Sequence, residues 1–235
     1  MLVKSNAMTS PPFALNFDTA PYRLSGTVYG TLLNHRPALE ALADQVNAAP
    51  YKAAPKAPVL YVKPRNTLAH NGDAVVVPHD AHELEVGASL GMVIGRTACR
   101  LTLDNALEHL AGYTIVADVS VPHDSFYRPS IRFKARDGFC PIGPSVVPPT
   151  AIANPDQLAV RVYVDDLLQQ DTHTGERQRG VAQLLVDVTE FMTLQPGDVL
   201  MLGPSAGAPR VRAGQSVAIA IDGIGRLVNP FVSAA

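Results

Sequence analysis

The sequence predicts a mainly β fold with peripheral helices, an α+β chain whose core is a folded-over sheet or barrel. Strand-type runs are many and short. Only two or three segments carry helical periodicity, and no regular strand–helix alternation is present to build a doubly wound parallel sheet. With 235 residues, 47% apolar and 17% charged, the chain can bury one sizeable core.

Each element follows from local pattern. Residues 1–21, rich in Pro, Ser and Asn, read as a loose arm. Residues 22–33 read as a strand and turn around Gly26 and Gly30, and Leu39, Leu42, Ala43 and Val46 fit a short helix. The proline-rich run 48–58 is a connector to a strand over 58–64; Asn71-Gly72 marks a turn before a strand over 74–78. Residues 22–80 are thus expected to form a small N-terminal lobe or lid, and residues 81–235 a single β core. In that core Ser89–Ile94 is a short strand. Thr102 is placed to cap a helix bearing Leu103, Ala106, Leu107 and Leu110 and stopping at Gly112. Strands follow over 113–119 and 158–164, the latter turned by Asp165-Asp166 into 167–170. Val181, Leu184, Leu185, Val188, Phe191 and Met192 predict a helix over 178–193, stopped by Gln195-Pro-Gly-Asp198. Strands over 199–202, 216–221 and 227–232 complete the chain.

Charge and cysteine content narrow the function classes. A net charge of −2 argues against a nucleic-acid binder working through global charge, and no apolar run approaches membrane-spanning length. The two cysteines, Cys99 and Cys140, lack metal-type spacing, which suits a reduced, cytoplasmic protein. The expected partner is a small molecule, and the stretch from Ala117 to Pro144 is where it is expected. There Asp118 ends an apolar run, and Arg128, Arg132, Lys134 and Arg136 follow within nine positions beside Phe126, Tyr127 and Phe133. The stretch exits through Gly138-Phe-Cys-Pro-Ile-Gly-Pro144, read as neither helix interior nor central strand. A carboxylate followed by clustered cations suits a multiply charged acid, with Arg128 able to grip one carboxylate bidentately; the plain alternative is a solvated basic loop.

Six strings in order carry a resemblance to the fumarylacetoacetate hydrolase family from about Gly26 onward. They are Val93-Ile-Gly95, Ala111-Gly-Tyr-Thr-Ile-Val-Ala-Asp118, Lys134, Pro141-Ile-Gly-Pro144, Leu194-Gln-Pro-Gly-Asp198 and Gly223-Ile-Gly-Arg-Leu-Val-Asn229. Further strings narrow it: Ser125-Phe-Tyr-Arg-Pro129, the run from Lys134 to Gly143, Leu33-Asn-His-Arg36 and Lys63-Pro-Arg-Asn-Thr67. With these the chain is similar to the N-terminal half of a two-halved branch of the family acting in 4-hydroxyphenylacetate (homoprotocatechuate) catabolism. The resemblance implies a family-type folded-over β core. It also implies decarboxylation of 5-oxopent-3-ene-1,2,5-tricarboxylate or isomerisation of 5-carboxymethyl-2-hydroxymuconate, both through a dienolate beside a 2-oxo acid. As substrate-binding residues it suggests Arg128, Tyr127, Arg132, Lys63 and Thr174, with Lys134 as a catalytic cation. His35 matches the histidine of a His-x-x-Glu acid/base pair; Ala38 stands at the glutamate position and Glu40 is the nearest substitute, so His35 as a plain loop histidine stays open. The family's Gly-Thr-Pro is Gly203-Pro204-Ser205 here, without the threonine.

The resemblance also implies Mg2+ or Mn2+ on three carboxylates. Asp118 matches one, but the glutamate pair falls on Gly87 and Ser89, which carry none. A literal pair, Glu83 and Glu85, lies four positions earlier, about 13 Å of extended chain away. Either a rearranged loop brings Glu83 and Glu85 to the ion, or they are exposed charges on a turn and the metal is lost. Three functions therefore stand: a decarboxylase/isomerase, a weakly active subunit completing a homodimer or a heterodimer with a metal-holding homologue, and an acylpyruvate hydrolase.

Overall fold

The computed structural model describes residues 26–49, 52–123 and 130–234. The arm 1–21 and the sites read at Tyr127 and Arg128 lie outside them. In order, the elements are β1 (Val28–Leu32), α1 (Arg36–Ala41), β2 (Val59–Lys63), β3 (Leu68–Ala69), β4 (Val75–Val77), β5 (Leu84–Ile94) and β6 (Leu110–Ser120). They continue as α2 (Ile131–Lys134), β7 (Cys140–Val147), β8 (Ala159–Val164), β9 (Leu167–His173), α3 (Val181–Thr189), β10 (Val199–Met201), β11 (Arg210–Val211), β12 (Ser216–Ile221) and β13 (Gly225–Ser233).

These strands make two sheets, one ordered β2-β1-β10-β5-β6-β7-β3 with β11 also on β5, the other β4-β13-β12-β8-β9. The long antiparallel pair β5–β6 is the spine, and its period-2 alternation divides its two faces. Leu84, Val86, Ala88, Leu90, Met92 and Ile94 of β5 join the main hydrophobic core, as do Tyr113, Ile115, Ala117 and Val119 of β6. That core continues into Val160 and Val162 of β8, Ile219 of β12, Leu227 and Phe231 of β13, and Leu184 and Leu185 of α3. Of the opposite positions, Val93 and Val116 pack in a second, smaller apolar cluster, while Glu85, Gly87 and Ser89 on β5 and Thr114, Asp118 and Ser120 on β6 are small or polar. Hydrophobic burial against the second sheet therefore turns Asp118 and Gly87, register partners, onto the other face.

The predicted fold class holds, with local corrections. The described residues 26–80 contribute β1–β4; β1 pairs with β2 and β10, β3 with β7 and β4 with β13. The helix read at Thr102–Leu110 is only a 3-10 turn, Ala106–His109. The Asn105 side chain accepts from Thr102 N, and Leu110 and Gly112 belong to β6, where the ladder outcompetes a short helix. The Gly138–Pro144 exit enters a strand, β7. Its pairing to β6 shifts register between Tyr113 and Ile115, and such an irregularity accommodates Pro141 and Pro144. Helix α3 starts where the Asp156 carboxylate accepts from Val181 N (2.8 Å) and ends at Thr189; Phe191, counted in the helical spacing, lies beyond it and is 60% exposed.

Candidate active site

Strand β2 supplies the base of the site. Its Tyr61 lies on Gly30 of β1, where an added Cβ would meet the phenol ring at 2.0 Å. This close approach, possible only above a glycine, carries the Tyr61 hydroxyl to Asp118 Oδ2 (2.5 Å). Two residues on and on the same face, Lys63 is 1% exposed. Its ammonium donates to the carbonyls of Val119 (2.8 Å), Phe139 (2.9 Å) and Lys134 (3.0 Å). Those bonds use its three protons, so its 2.8 Å approach to Asp118 Oδ1 is an ion pair and not a hydrogen bond. Lys134, the last residue of α2, donates to Asp118 Oδ2 at 2.7 Å, with its ammonium 5.0 Å from the Tyr61 ring centre.

The cluster holds two ammonium groups, one carboxylate and a phenol, a net single positive charge. Burial alone would push the Asp118 carboxyl up. The Lys134 and Lys63 charges outweigh it and hold Asp118 well below the usual carboxylate range. Burial and the Asp118 charge raise the Tyr61 phenol, which stays a neutral donor. Burial lowers Lys63 from its ordinary value, against the opposing pull of Asp118.

Above the cluster opens a pocket of about 370 Å³, walled by Lys134, Asp118, His35, His123, Glu85 and the loop Pro204–Ala208. His35 Nδ1 accepts from Ala206 N (3.2 Å), which leaves the ring proton on Nε2, 3.3 Å from Glu176 Oε2. Burial lowers the His35 pKa; the hydrogen bond to Glu176 opposes this, and the nearby Arg177 charge adds to the lowering. The His123 ring stacks on Phe133, centroids 4.9 Å apart, and presents a second imidazole to the pocket.

The structure brings some expected residues together and disperses others. Lys134, His35 and Asp118 share the pocket. Lys63 lies beneath it, holding Asp118 and three carbonyls, out of reach of a ligand. Arg132 is on the outer surface with its side chain 80% exposed, 3.9 Å from Asp80, which Arg136 grips at 2.6 and 2.8 Å. The reason is that residues 131–134 form a helical turn, which fans the cations apart where a strand would alternate them. Thr174 is 1% exposed, its Oγ1 accepts from Leu158 N (2.8 Å), and it is not among the residues that wall the pocket. Glu40 is exposed on α1, and Glu176, 141 residues from His35, partners the imidazole instead. Tyr61, Glu176, His123 and Ser205 were missed. Tyr61 carries a signal in its shared parity with Lys63, and His123 in lying within the 117–144 stretch.

The donor set does not fit a divalent ion bound by three carboxylates. Gly87 sits where a carboxylate is needed, and an added Cβ there would meet Pro204 at 2.7 Å. Ser89 Oγ accepts from Gly203 N (3.0 Å) and donates to Leu90 O. Glu83 is paired to Arg210 (2.9 Å) and Arg212, while Glu85 lies in β5 at the pocket wall and not on a turn. Both Asp118 oxygens already face ammonium groups, and among the described residues no three His, Cys, Asp or Glu side chains gather as ligands.

Comparison with known proteins agrees with the fold and with the strings read above. Residues 27–232 match the fumarylacetoacetate (FAA) hydrolase C-terminal family. The chain is 38% identical over 209 residues to the 4-hydroxyphenylacetate degradation bifunctional isomerase/decarboxylase of Escherichia coli, covering 89% of this chain and 48% of that protein. It thus spans about half the length of the curated relative it matches. A crystal structure of 5-carboxymethyl-2-hydroxymuconate delta-isomerase from Mycobacterium smegmatis superposes with a TM-score of 0.76 at 29% identity, covering 90% of this chain and 80% of that one. Fumarylpyruvate hydrolase from Pseudomonas aeruginosa, solved with Mn2+ and pyruvate, shares the fold at a TM-score of 0.76 and 24% identity, over 88% of this chain and 90% of that one.

Proposed function

The chain belongs to the fumarylacetoacetate hydrolase family, and on that premise we propose that it is a decarboxylase/isomerase-type enzyme acting on a polycarboxylate 2-oxo acid through a dienolate. The observation that carries this reading is the convergence of Lys134 and His35 on one pocket floored by a net positive cluster. With 5-oxopent-3-ene-1,2,5-tricarboxylate, the bond to one carboxylate breaks and carbon dioxide leaves. The electron pair runs through the double bond to the oxo oxygen, and a proton then adds to carbon. Lys134 supplies the charge opposite the developing oxyanion, fixed in place by Asp118 before the reaction begins. The His35–Glu176 pair is the acid/base candidate. Nδ1 is held by Ala206 N, so the proton passes through Nε2 and the Glu176 carboxylate, given to carbon after decarboxylation or, in isomerisation, taken from one carbon and returned to another.

Divalent metal has no role in this reading, because an ion reaching Asp118 would have to displace an ammonium group. The test is loss of the dienol chromophore with purified chain. Turnover is expected to be the same in excess EDTA and in added Mn2+. Activity removed by the chelator and restored by the metal would replace ammonium with metal catalysis.

For isomerisation, in which the His35 pair starts as the base, the lowered His35 pKa places the acidic limb of the kcat/KM profile below the ordinary histidine range of about 6.5. Glu176→Gln removes a partner that favours imidazolium, so the limb is expected to move to still lower pH. A limb that stays put would exclude Glu176 as the partner of the working base.

A second reading is favoured by the Gly87–Pro204 contact, which closes the position of a metal-binding glutamate. Here the chain is a weakly active subunit completing a dimer with a metal-holding homologue. No turnover alone, and turnover with that partner unchanged by Lys134→Met, would establish it. Acylpyruvate hydrolysis, which in this family also calls on the metal, is disfavoured by the same contact.

A further inference from the structure

The loop Gly203–Pro209 that walls the pocket is tied to the frame at successive polar groups. Gly203 N donates to Ser89 Oγ (3.0 Å), Ala206 N to His35 Nδ1 (3.2 Å), and Ala206 O accepts from Gln170 Nε2 (2.9 Å). Ser205 is held by a charge. Its Oγ accepts a 3.1 Å hydrogen bond from Nη2 of Arg177, a residue only 4% exposed. Nε and Nη1 of that guanidinium are buried without a hydrogen-bond partner, and Arg177 forms no ion pair among the described residues. The adjacent carboxylate, Glu176, is turned to His35.

An unpaired guanidinium stripped of water is among the least favourable groups to bury, and its natural complement is an anion. Burial has already lowered its pKa to about 10, with Glu176 opposing. The nitrogens themselves do not line the pocket, but Ser205 does. Because Ser205 Oγ accepts from a cation, its own proton is free to point elsewhere, and the hydroxyl is a stronger donor than an isolated serine. We propose that Ser205, polarised from behind by Arg177, is the seat for one carboxylate of the ligand, an anion-binding point additional to Lys134. Ser205 touches the ligand, and Arg177 is a positioning residue acting through it. The proposal rests on the reading of the pocket as a polycarboxylate site and adds the residue that selects a charged acid over its neutral counterpart.

The test is equilibrium binding of succinate and of uncharged succinamide to the full chain, with denaturation midpoints measured in parallel. The wild-type chain is expected to bind succinate and to discriminate against succinamide. Ser205→Ala and Arg177→Met should each weaken succinate about tenfold or more, the effect of one lost hydrogen bond to a charged group. Arg177→Met should at the same time hold or raise the denaturation midpoint, since it removes an uncompensated buried charge. A purely structural arginine gives the opposite pair: a lower midpoint with succinate affinity unchanged in Ser205→Ala. That result, equal binding of succinamide, or no binding of succinate by the wild-type chain overturns the proposal. If succinate affinity is unmoved while Lys134→Met abolishes dienol turnover, this seat fails and the functional reading stands. Weakened binding in a chain that turns over no dienol has the reverse meaning.

Discussion

Replacing Lys134 by methionine is expected to lower turnover about 10²–10³-fold, the scale of losing one preorganised donor at a developing oxyanion. The fold should survive. Asp118 would still face Lys63 at 2.8 Å and accept from Tyr61 at 2.5 Å, so no buried charge is orphaned. Methionine keeps the apolar length of the side chain, and the lost group is the one beside the pocket. Steady-state rates with the dienol substrate, read beside the urea midpoint, separate the two effects. Turnover within about threefold of wild type would remove Lys134 from the mechanism and leave the pocket without its oxyanion partner.

Lys63→Met is expected to do its damage to stability instead, on the order of 3–5 kcal/mol, the scale of leaving three buried carbonyls without a donor. The substitution strips hydrogen bonds from the carbonyls of Val119, Lys134 and Phe139 and leaves Asp118 to Lys134 and Tyr61. Adding Asp118→Asn should deepen the loss, since Lys134 is then left without its counter-charge while the three carbonyls stay unpaired. Urea unfolding of the single and double variants measures this directly; a loss below about 1 kcal/mol in the single variant would mean water replaces the ammonium. The cluster also sets an acid limit. Asp118 is held below its unfolded value near 3.9, so its contribution is complete above that pH and disappears as the pH falls through the lower folded value.

Much of the architecture was legible in the chain because it depends on local pattern. Alternation in 158–164 and 216–221, the Asp165-Asp166 turn and the periodic face of α3 all translate into the observed elements. Local pattern misled where two structures compete for one segment. Leu103–Leu110 has helical spacing, yet its end is claimed by the eleven-residue β6, and Pro141 and Pro144 enter a strand because that ladder is irregular beside them.

At the site, Lys134 and Asp118 were identifiable from family strings, since each lies within a distinctive run. The roles of Lys63, Arg132 and Thr174 were not, because a charge or hydroxyl in sequence says nothing of which way it is buried. Glu176 and Ser205 lie 141 and 170 residues beyond His35, and only the His35–Arg177 bridge and the tethered loop bring them to it.

The order of residues was sufficient for the strands over 158–164 and 216–221 and for the apolar face of α3, because those preferences act between neighbours along the chain. Which ammonium group meets Asp118 and which faces a ligand, and which acid partners His35, emerged only on folding. Those outcomes depend on desolvating charges from distant segments in one small volume, where each group's partner decides whether its burial is tolerable.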